Sequence, residues 1–244
     1  MKRMFAALLA AAVLVTLTAA FAFTQCQQGD CINGEGTYVF ADGSTYVGSF
    51  KDGSMDGRGV YTANDGSVYD GQFRDGQMHG QGVLTQADGG SYTGGWVDGR
   101  REGQGKATFS DGGTYDGQWK ANMFDGTGTY SSPDGVTYRG AWRQGERSGQ
   151  GTLSQSDGTS YSGGWQHDQF NGQGTMTRAD GSSYNGEWKN GEMHGQGTLI
   201  QSDGSTYTGS WENGNLNGEG TFTDPQGRSR TGIWENGEYV GPAE

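Results

Sequence analysis

The sequence predicts an all-β fold, an elongated, twisted single antiparallel sheet built from stacked 23-residue β-hairpins, and three observations carry that prediction. Eight tyrosines, Tyr46, Tyr69, Tyr92, Tyr115, Tyr138, Tyr161, Tyr184 and Tyr207, recur at an unbroken spacing of 23 residues. A fixed period in the twenties marks a small supersecondary unit that is copied because one copy cannot bury its own apolar face. Each tyrosine opens a Tyr-x-Gly-x-aromatic pentad, a period of two that belongs to strands. Turn signals containing glycine then separate the apolar runs.

Taking the tyrosine as position 0, glycine stands at position 2 and an aromatic at position 4: Phe50, Phe73, Trp96, Trp119, Trp142, Trp165, Trp188, Trp211 and, in the last copy, Trp234. With the tyrosines these form an aromatic ladder on one face of the strand. Positions 1 and 3, as in Asp70 and Gln72, are mostly polar or small and belong to the wet face. Position 7 is glycine in seven copies, from Gly53 to Gly237, and supplies the positive φ of a tight reversal. Glycine returns at 11 and 13, followed by an apolar residue at 15: Tyr61, Leu84, Ala107, Tyr130, Leu153, Met176, Leu199 and Phe222. An Asp-Gly pair, from Asp42-Gly43 to Asp203-Gly204, then begins the next reversal. The glycines at 2, 11 and 13 are expected to leave hollows on the ladder face where neighbouring rings lie, so that the ladder replaces a globular core. Low-complexity disorder does not fit, because the 49 glycines keep fixed places and all seven tryptophans share one column.

Four segments follow from this register: 1–22, an export signal; 23–45, an N-terminal capping half-repeat; 46–229, eight full repeats; and 230–244, a partial C-terminal capping repeat. Lys2 and Arg3 precede an apolar stretch that ends in Ala20-Phe21-Ala22, the pattern of a signal peptide cleaved after Ala22. The competing reading is an uncleaved anchor, since 5–23 is long enough to span a bilayer. A periplasmic or secreted protein is the expectation. Without Lys2 and Arg3 the net charge moves from −12 to −14. That acidity, with no basic cluster longer than Arg100-Arg101, disfavours nucleic acid and anionic membranes as partners. Cys26 and Cys31 read as a disulfide in an exported chain, because two metal thiolates would need two further ligands that are not nearby. They flank Gln27-Gln28-Gly29-Asp30, where the opening hairpin is expected to turn.

The full pattern, as in Tyr184-Asn185-Gly186-Glu187-Trp188 with Gly191, Gly195 and Gly197, resembles the MORN repeat (membrane occupation and recognition nexus) and recurs eight times in register. Asn122 and Asp168 replace the position-7 glycine, and both residue types tolerate a left-handed backbone. Arg230 replaces the ninth tyrosine. The resemblance implies a scaffold that binds partners and, in some members, forms homodimers.

No catalytic constellation is visible. His79 and His194 both occupy position 10, five repeats and roughly 48 Å apart. His167 has no nucleophile motif beside it. The Asp-Gly carboxylates, one about every 10 Å, do not assemble a calcium site and read as turn chemistry. No cofactor or metal is expected. Position 9 carries Met55, Met78, Arg101, Phe124, Arg147, Phe170, Met193 and Leu216, with Tyr239 in the last copy. This row either packs over the adjacent hairpin or, if exposed, forms a stripe suited to a partner protein. The leading expectation is therefore a non-catalytic exported scaffold binding an unidentified protein along its sheet. The alternative is a glycan lying along the repeated aromatics, an idea that buried rings would remove, and membrane lipid comes third because of the negative charge.

Overall fold

The computed structural model describes residues 26–243, so the export signal falls outside the described residues. Among them are twenty strands and no helix. The chain divides into two compact units between Ser110 and Asp111. The first holds β1 (Cys26–Gly29), β2 (Glu35–Val39), β3 (Thr45–Lys51), β4 (Ser54–Thr62), β5 (Val68–Arg74), β6 (Gln77–Thr85), β7 (Ser91–Val97) and β8 (Arg100–Thr108). The second opens with β9 (Thr114–Lys120), β10 (Met123–Ser131), β11 (Thr137–Arg143), β12 (Glu146–Ser154), β13 (Ser160–Gln166) and β14 (Gln169–Thr177). It continues with β15 (Ser183–Lys189), β16 (Glu192–Ile200), β17 (Thr206–Glu212), β18 (Asn215–Thr223), β19 (Ser229–Glu235) and β20 (Glu238–Gly241). Within each unit every strand pairs antiparallel with its neighbours in sequence, which makes a meander of hairpins.

Two turn types alternate. Odd strands hand over to even ones through a two-residue turn such as Asp52-Gly53, where both residues have positive φ, 51° and 77°. That left-handed pair matches the right-handed twist of the flanking strands. Asn122 and Asp168 adopt it too, at φ 72° and 64°. The sequence pointed only to position 7, yet position 6 is equally left-handed in Asp75, Ala121, Gln144, His167 and Asn190. Even strands return through the Asp-Gly turn: the Gly43 N–H donates to the Phe40 carbonyl at 3.0 Å, and the Asp42 carboxylate accepts the Ser44 N–H at 2.9 Å. The same carboxylate accepts the Ser44 hydroxyl at 2.6 Å, and these bonds hold its pKa below the ordinary carboxylate value. The Asp-Gly carboxylates are thus engaged in turn chemistry.

Two expectations change. Position 11 is not a hollow under the ladder but a β-bulge, with Gly57, Gly80, Gly126 and Gly195 at φ between 58° and 100°. From the pair Gly48 and Gly59 to the pair Phe50 and Met55, β3 advances two residues while β4 takes four. A side chain with a β-carbon resists that backbone, which is why glycine stands there. The first hairpin also turns later than the sequence suggested. Cys26–Gly29 is itself a strand paired with β2, and the turn lies at 30–34.

Candidate functional site

The surface of the repeats is best understood from the ladder outward. The eight tyrosines are among the most completely buried side chains, at 0–2% exposure, and the aromatics of position 4 are buried as well. Tyr46 meets Phe50 and Phe73 edge-on at 5.1 and 5.0 Å, and Tyr161 meets Trp165 and Trp188 at 5.3 and 5.5 Å. Within each unit a ladder tyrosine thus touches the aromatic of its own strand and that of the next odd strand, in the T-shaped geometry favoured by ring quadrupoles.

The ladder's polar atoms are answered by backbone. The bulge leaves Ser49 without a residue opposite it in β4, and the Tyr46 hydroxyl donates to the Ser49 carbonyl at 3.0 Å. Tyr92 and Tyr161 do the same to Gly95 and Gly164 at 3.0 and 2.9 Å. The indole N–H of Trp165 donates to the Gly151 carbonyl at 3.1 Å, and that of Trp211 to Gly197 at 3.2 Å. Glycine at positions 2 and 13 is required because the tyrosine ring lies flat on it: a β-carbon at Gly59 would fall 2.3 Å from the Tyr46 hydroxyl oxygen. Burial pushes the phenols of Tyr92, Tyr138, Tyr161 and Tyr184 up to about 12, and those of Tyr46, Tyr69 and Tyr115 further in the same direction.

The position-9 row lies directly over these rings. Met55 is buried, whereas Met78, Arg101, Phe124, Arg147, Phe170, Met193 and Leu216 are half-buried. Phe124 stacks face to face on Tyr115 at 3.7 Å and Phe170 on Tyr161 at 3.9 Å. The Arg101 guanidinium lies 5.6 Å over Tyr92, and that of Arg147 lies 4.3 Å over Trp165 and 5.8 Å over Tyr138. The two arginines therefore continue the row rather than interrupt it. Backbone ties it down further: the Gly191 N–H donates to the Phe170 carbonyl at 2.9 Å, one turn gripping the last. Where Asp168 replaces the turn glycine, its carboxylate accepts the Arg147 N–H at 2.9 Å and the Arg147 Nε–H at 3.0 Å. Half of this row faces the ladder, and only its outer half remains for a partner.

The glycan expectation loses its basis here. The rings that would stack on sugars are covered on one side by position 9 and on the other by glycine backbone. His79 lies 3.7 Å from Asp98, and His167 bonds Glu146 at 2.8 Å. Among the described residues no group of three or more His, Cys, Asp or Glu side chains is arranged to hold a metal ion.

The opposite face carries a feature that the sequence reading passed over. In the second unit Thr152, Ser162, Thr175, Asn185, Thr198, Thr208, Thr221 and Thr231 are paired in succession from β12 to β19. Thr198 and Thr208 share a hydrogen bond at 3.0 Å, and Thr221 and Thr231 one at 2.8 Å. An uncharged row across eight strands stands out in an acidic chain. Reading positions 1 and 14 as one column would have found it. The first unit differs at the same register, where Val47 and Val83 are 52% and 41% exposed and Asp70 stands between Val60 and Val83.

A hairpin array with a buried aromatic spine that recurs every 23 residues defines a repeat scaffold. The MORN-repeat family model matches residues 32–45 and then eight successive segments from 46–68 to 207–227, each full one opening on a ladder tyrosine. The chain belongs to the MORN-repeat family. No curated protein sequence matches it. Among solved structures it is similar to the G-box domain of the microcephaly protein CPAP, at 15% identity and TM-score 0.44, covering 83% of this chain and 100% of that one. The wild-type TCP10 domain of Danio rerio CPAP gives 14% identity and TM-score 0.38, over 82% and 90%. The SAS-4 (dCPAP) TCP domain of Drosophila melanogaster, solved with a proline-rich motif of Ana2 (dSTIL), gives 12% identity and TM-score 0.30, over 81% and 88%. At these scores the likeness carries nothing about what this chain binds.

Proposed function

We propose that the protein is a non-catalytic, exported scaffold that binds a partner protein along its strands. One observation carries this reading: the tyrosines and position-4 aromatics that recur in the copies are buried, while the position-1 side chains, which change from copy to copy, are exposed. Position 1 alone reads Val47, Asp70, Thr93, Asp116, Arg139, Ser162, Asn185, Thr208 and Thr231, and every one of them is exposed. A frame fixed every 23 residues that displays a different side chain in each copy suits an extended surface read by another protein. Export rests on the signal pattern of residues 1–22 and agrees with a disulfide at Cys26 and Cys31. Capture from cell-envelope extract is the test, with three baits: the natural chain, a chain with Asp70, Asp116 and Arg139 changed to serine, and a chain with Met78 and Met193 changed to serine. A partner retained by the natural chain and lost from either variant supports the reading. Absence of a specific partner, or equal retention by all three baits, removes it. N-terminal sequencing of the exported protein should begin at Phe23.

A further inference from the structure

The aromatic spine of the second unit differs from that of the first in a way that packing does not demand. In the first unit position 4 is phenylalanine twice, Phe50 and Phe73, and the same T-shaped contacts form there. In the second unit, from Trp119 to Trp234, every copy carries tryptophan. Indole gives up one electron more readily than phenol does when no proton is lost, and phenyl takes no part at the same potentials. The second unit therefore holds a row of oxidisable rings without a gap. Tyr115 bridges Trp119 and Trp142, Tyr138 bridges Trp142 and Trp165, and the alternation runs on to Trp234 and Tyr239. Successive ring centroids along it lie 4.9 to 5.8 Å apart. Rings in edge contact exchange electrons directly. Each indole keeps 3–8% of its surface exposed, which is where a small oxidant meets it.

Protons decide where a missing electron can rest. Inside the spine the tyrosine hydroxyls donate to backbone carbonyls, at 2.9 Å for Tyr138 and Tyr161 and 3.1 Å for Tyr184. A carbonyl accepts a hydrogen bond but is too weak a base to keep the proton. Burial holds these phenols protonated as well, pushed up to about 12. The indole N–H groups of Trp142, Trp165, Trp188, Trp211 and Trp234 likewise donate to glycine carbonyls, at 3.1 to 3.3 Å. An oxidised interior ring thus stays a cation and passes the vacancy on. Tyr239 is different. It meets Trp234 edge-on at 5.4 Å, yet it is half-exposed, and its hydroxyl, bonded to the Thr231 carbonyl at 3.3 Å, is open to water. The Arg230 guanidinium, 5.0 Å over its ring, disfavours a second positive charge there and so favours the neutral radical that proton loss leaves.

We propose that the second unit conducts oxidising equivalents: an inorganic one-electron radical oxidant takes an electron from any of its indoles, the vacancy moves from ring to ring, and it comes to rest at Tyr239 as a neutral tyrosyl radical. The oxidant is reduced to its anion and each indole cation recovers an electron from its neighbour. Tyr239 supplies the last electron and releases its hydroxyl proton to water. Two such radicals on separate molecules then form a carbon–carbon bond between ring positions next to the hydroxyls, whose hydrogens move to the oxygens, giving dityrosine.

Pulse radiolysis of the full chain with the azide radical as oxidant tests this. Indole-radical absorbance should give way to tyrosyl absorbance at a rate independent of protein concentration, and digestion should place dityrosine at Tyr239. Tyr239→Phe removes the exit and leaves the interior intact, so the indole signal should persist and oxidised tryptophan should replace dityrosine among the products. Trp211→Phe introduces a ring that the fold already accepts at this position and cuts Trp119, Trp142, Trp165 and Trp188 off from Tyr239. Dityrosine at Tyr239 should then fall severalfold, whereas Trp119→Phe, the same change at the other end of the row, should lower it only slightly. A decay that scales with protein concentration overturns the proposal, as do equal Tyr239 yields from Trp211→Phe and Trp119→Phe, or an indole signal that decays as fast without the Tyr239 hydroxyl.

Discussion

At the scale of single residues, the tyrosine hydroxyls and indole N–H groups are matched to carbonyls of the sheet itself. The bulge at position 11 frees the position-3 carbonyl, and the tyrosine hydroxyl takes it, which is why tyrosine rather than phenylalanine stands at position 0. Tyr161→Phe would leave the Gly164 carbonyl buried without its donor, a loss of about 1–3 kcal/mol. Urea titration should show a lower midpoint with an unchanged slope, and an unmoved midpoint would contradict the account. The same burial sets a pH dependence. An unfolded tyrosine ionises near 10, whereas burial raises Tyr161 in the fold to about 12. Below about pH 10 both states are neutral and the full stability is present. Between about 10 and 12 the unfolded chain loses protons that the folded chain keeps, so stability falls with rising pH and levels off above the folded value. Tyrosinate absorbance should lag behind free tyrosine and then rise together with the loss of strand signal. Ionisation near pH 10 with the sheet intact would refute it.

At the scale of the hairpin, the sequence showed where chains reverse but not how neighbouring turns hold each other. Position 7 was legible because glycine marks it. Position 6 was not, since aspartate, asparagine, glutamine, histidine and alanine all occupy it while taking the same left-handed backbone. The bulge was hidden for the opposite reason: glycines at 2, 11 and 13 are one letter with two tasks, and only the register of the opposite strand separates them. Two departures from the repeat belong together. Arg147 stands 21 residues before Asp168, as Arg101 does before Asn122. In the first of these pairs the arginine and the substituted turn residue are joined by three hydrogen bonds from Arg147 to Asp168. Arg147→Phe and Asp168→Gly should each destabilise alone, while the double variant, which restores the common pattern, should recover most of the loss. A coupling of about 0.5–3 kcal/mol is expected from the double-mutant cycle, and strict additivity would show the pair to be coincidental.

Over the whole molecule, each hairpin within a unit draws its burial from its neighbours there, so the stability of a unit should behave as a sum of copies and their interfaces. Deleting residues 161–183 removes one period and brings Tyr184 into the place of Tyr161. The shortened chain should fold, with β-sheet circular dichroism in proportion to its length and a modestly lower denaturation midpoint. Deleting 161–182 instead leaves one residue extra and turns the following aromatics to the other face. That chain should lose its cooperative transition, and equal behaviour of the two deletions would contradict a register-bound spine.

By itself the sequence determined the period, the strand and turn assignment, the pairing of tyrosine with a position-4 aromatic, and membership of the MORN family. These follow from local requirements, the two-residue alternation of a strand and the backbone freedom of glycine, which each copy states again. Only the tertiary structure decided that the rings are enclosed and that the arginines lie on them as Phe124 and Phe170 do. Those outcomes depend on which residue lies across a strand gap of about 4.8 Å. That neighbour is chosen by the bulged register between strands, and the repeating letters of a single strand do not contain it.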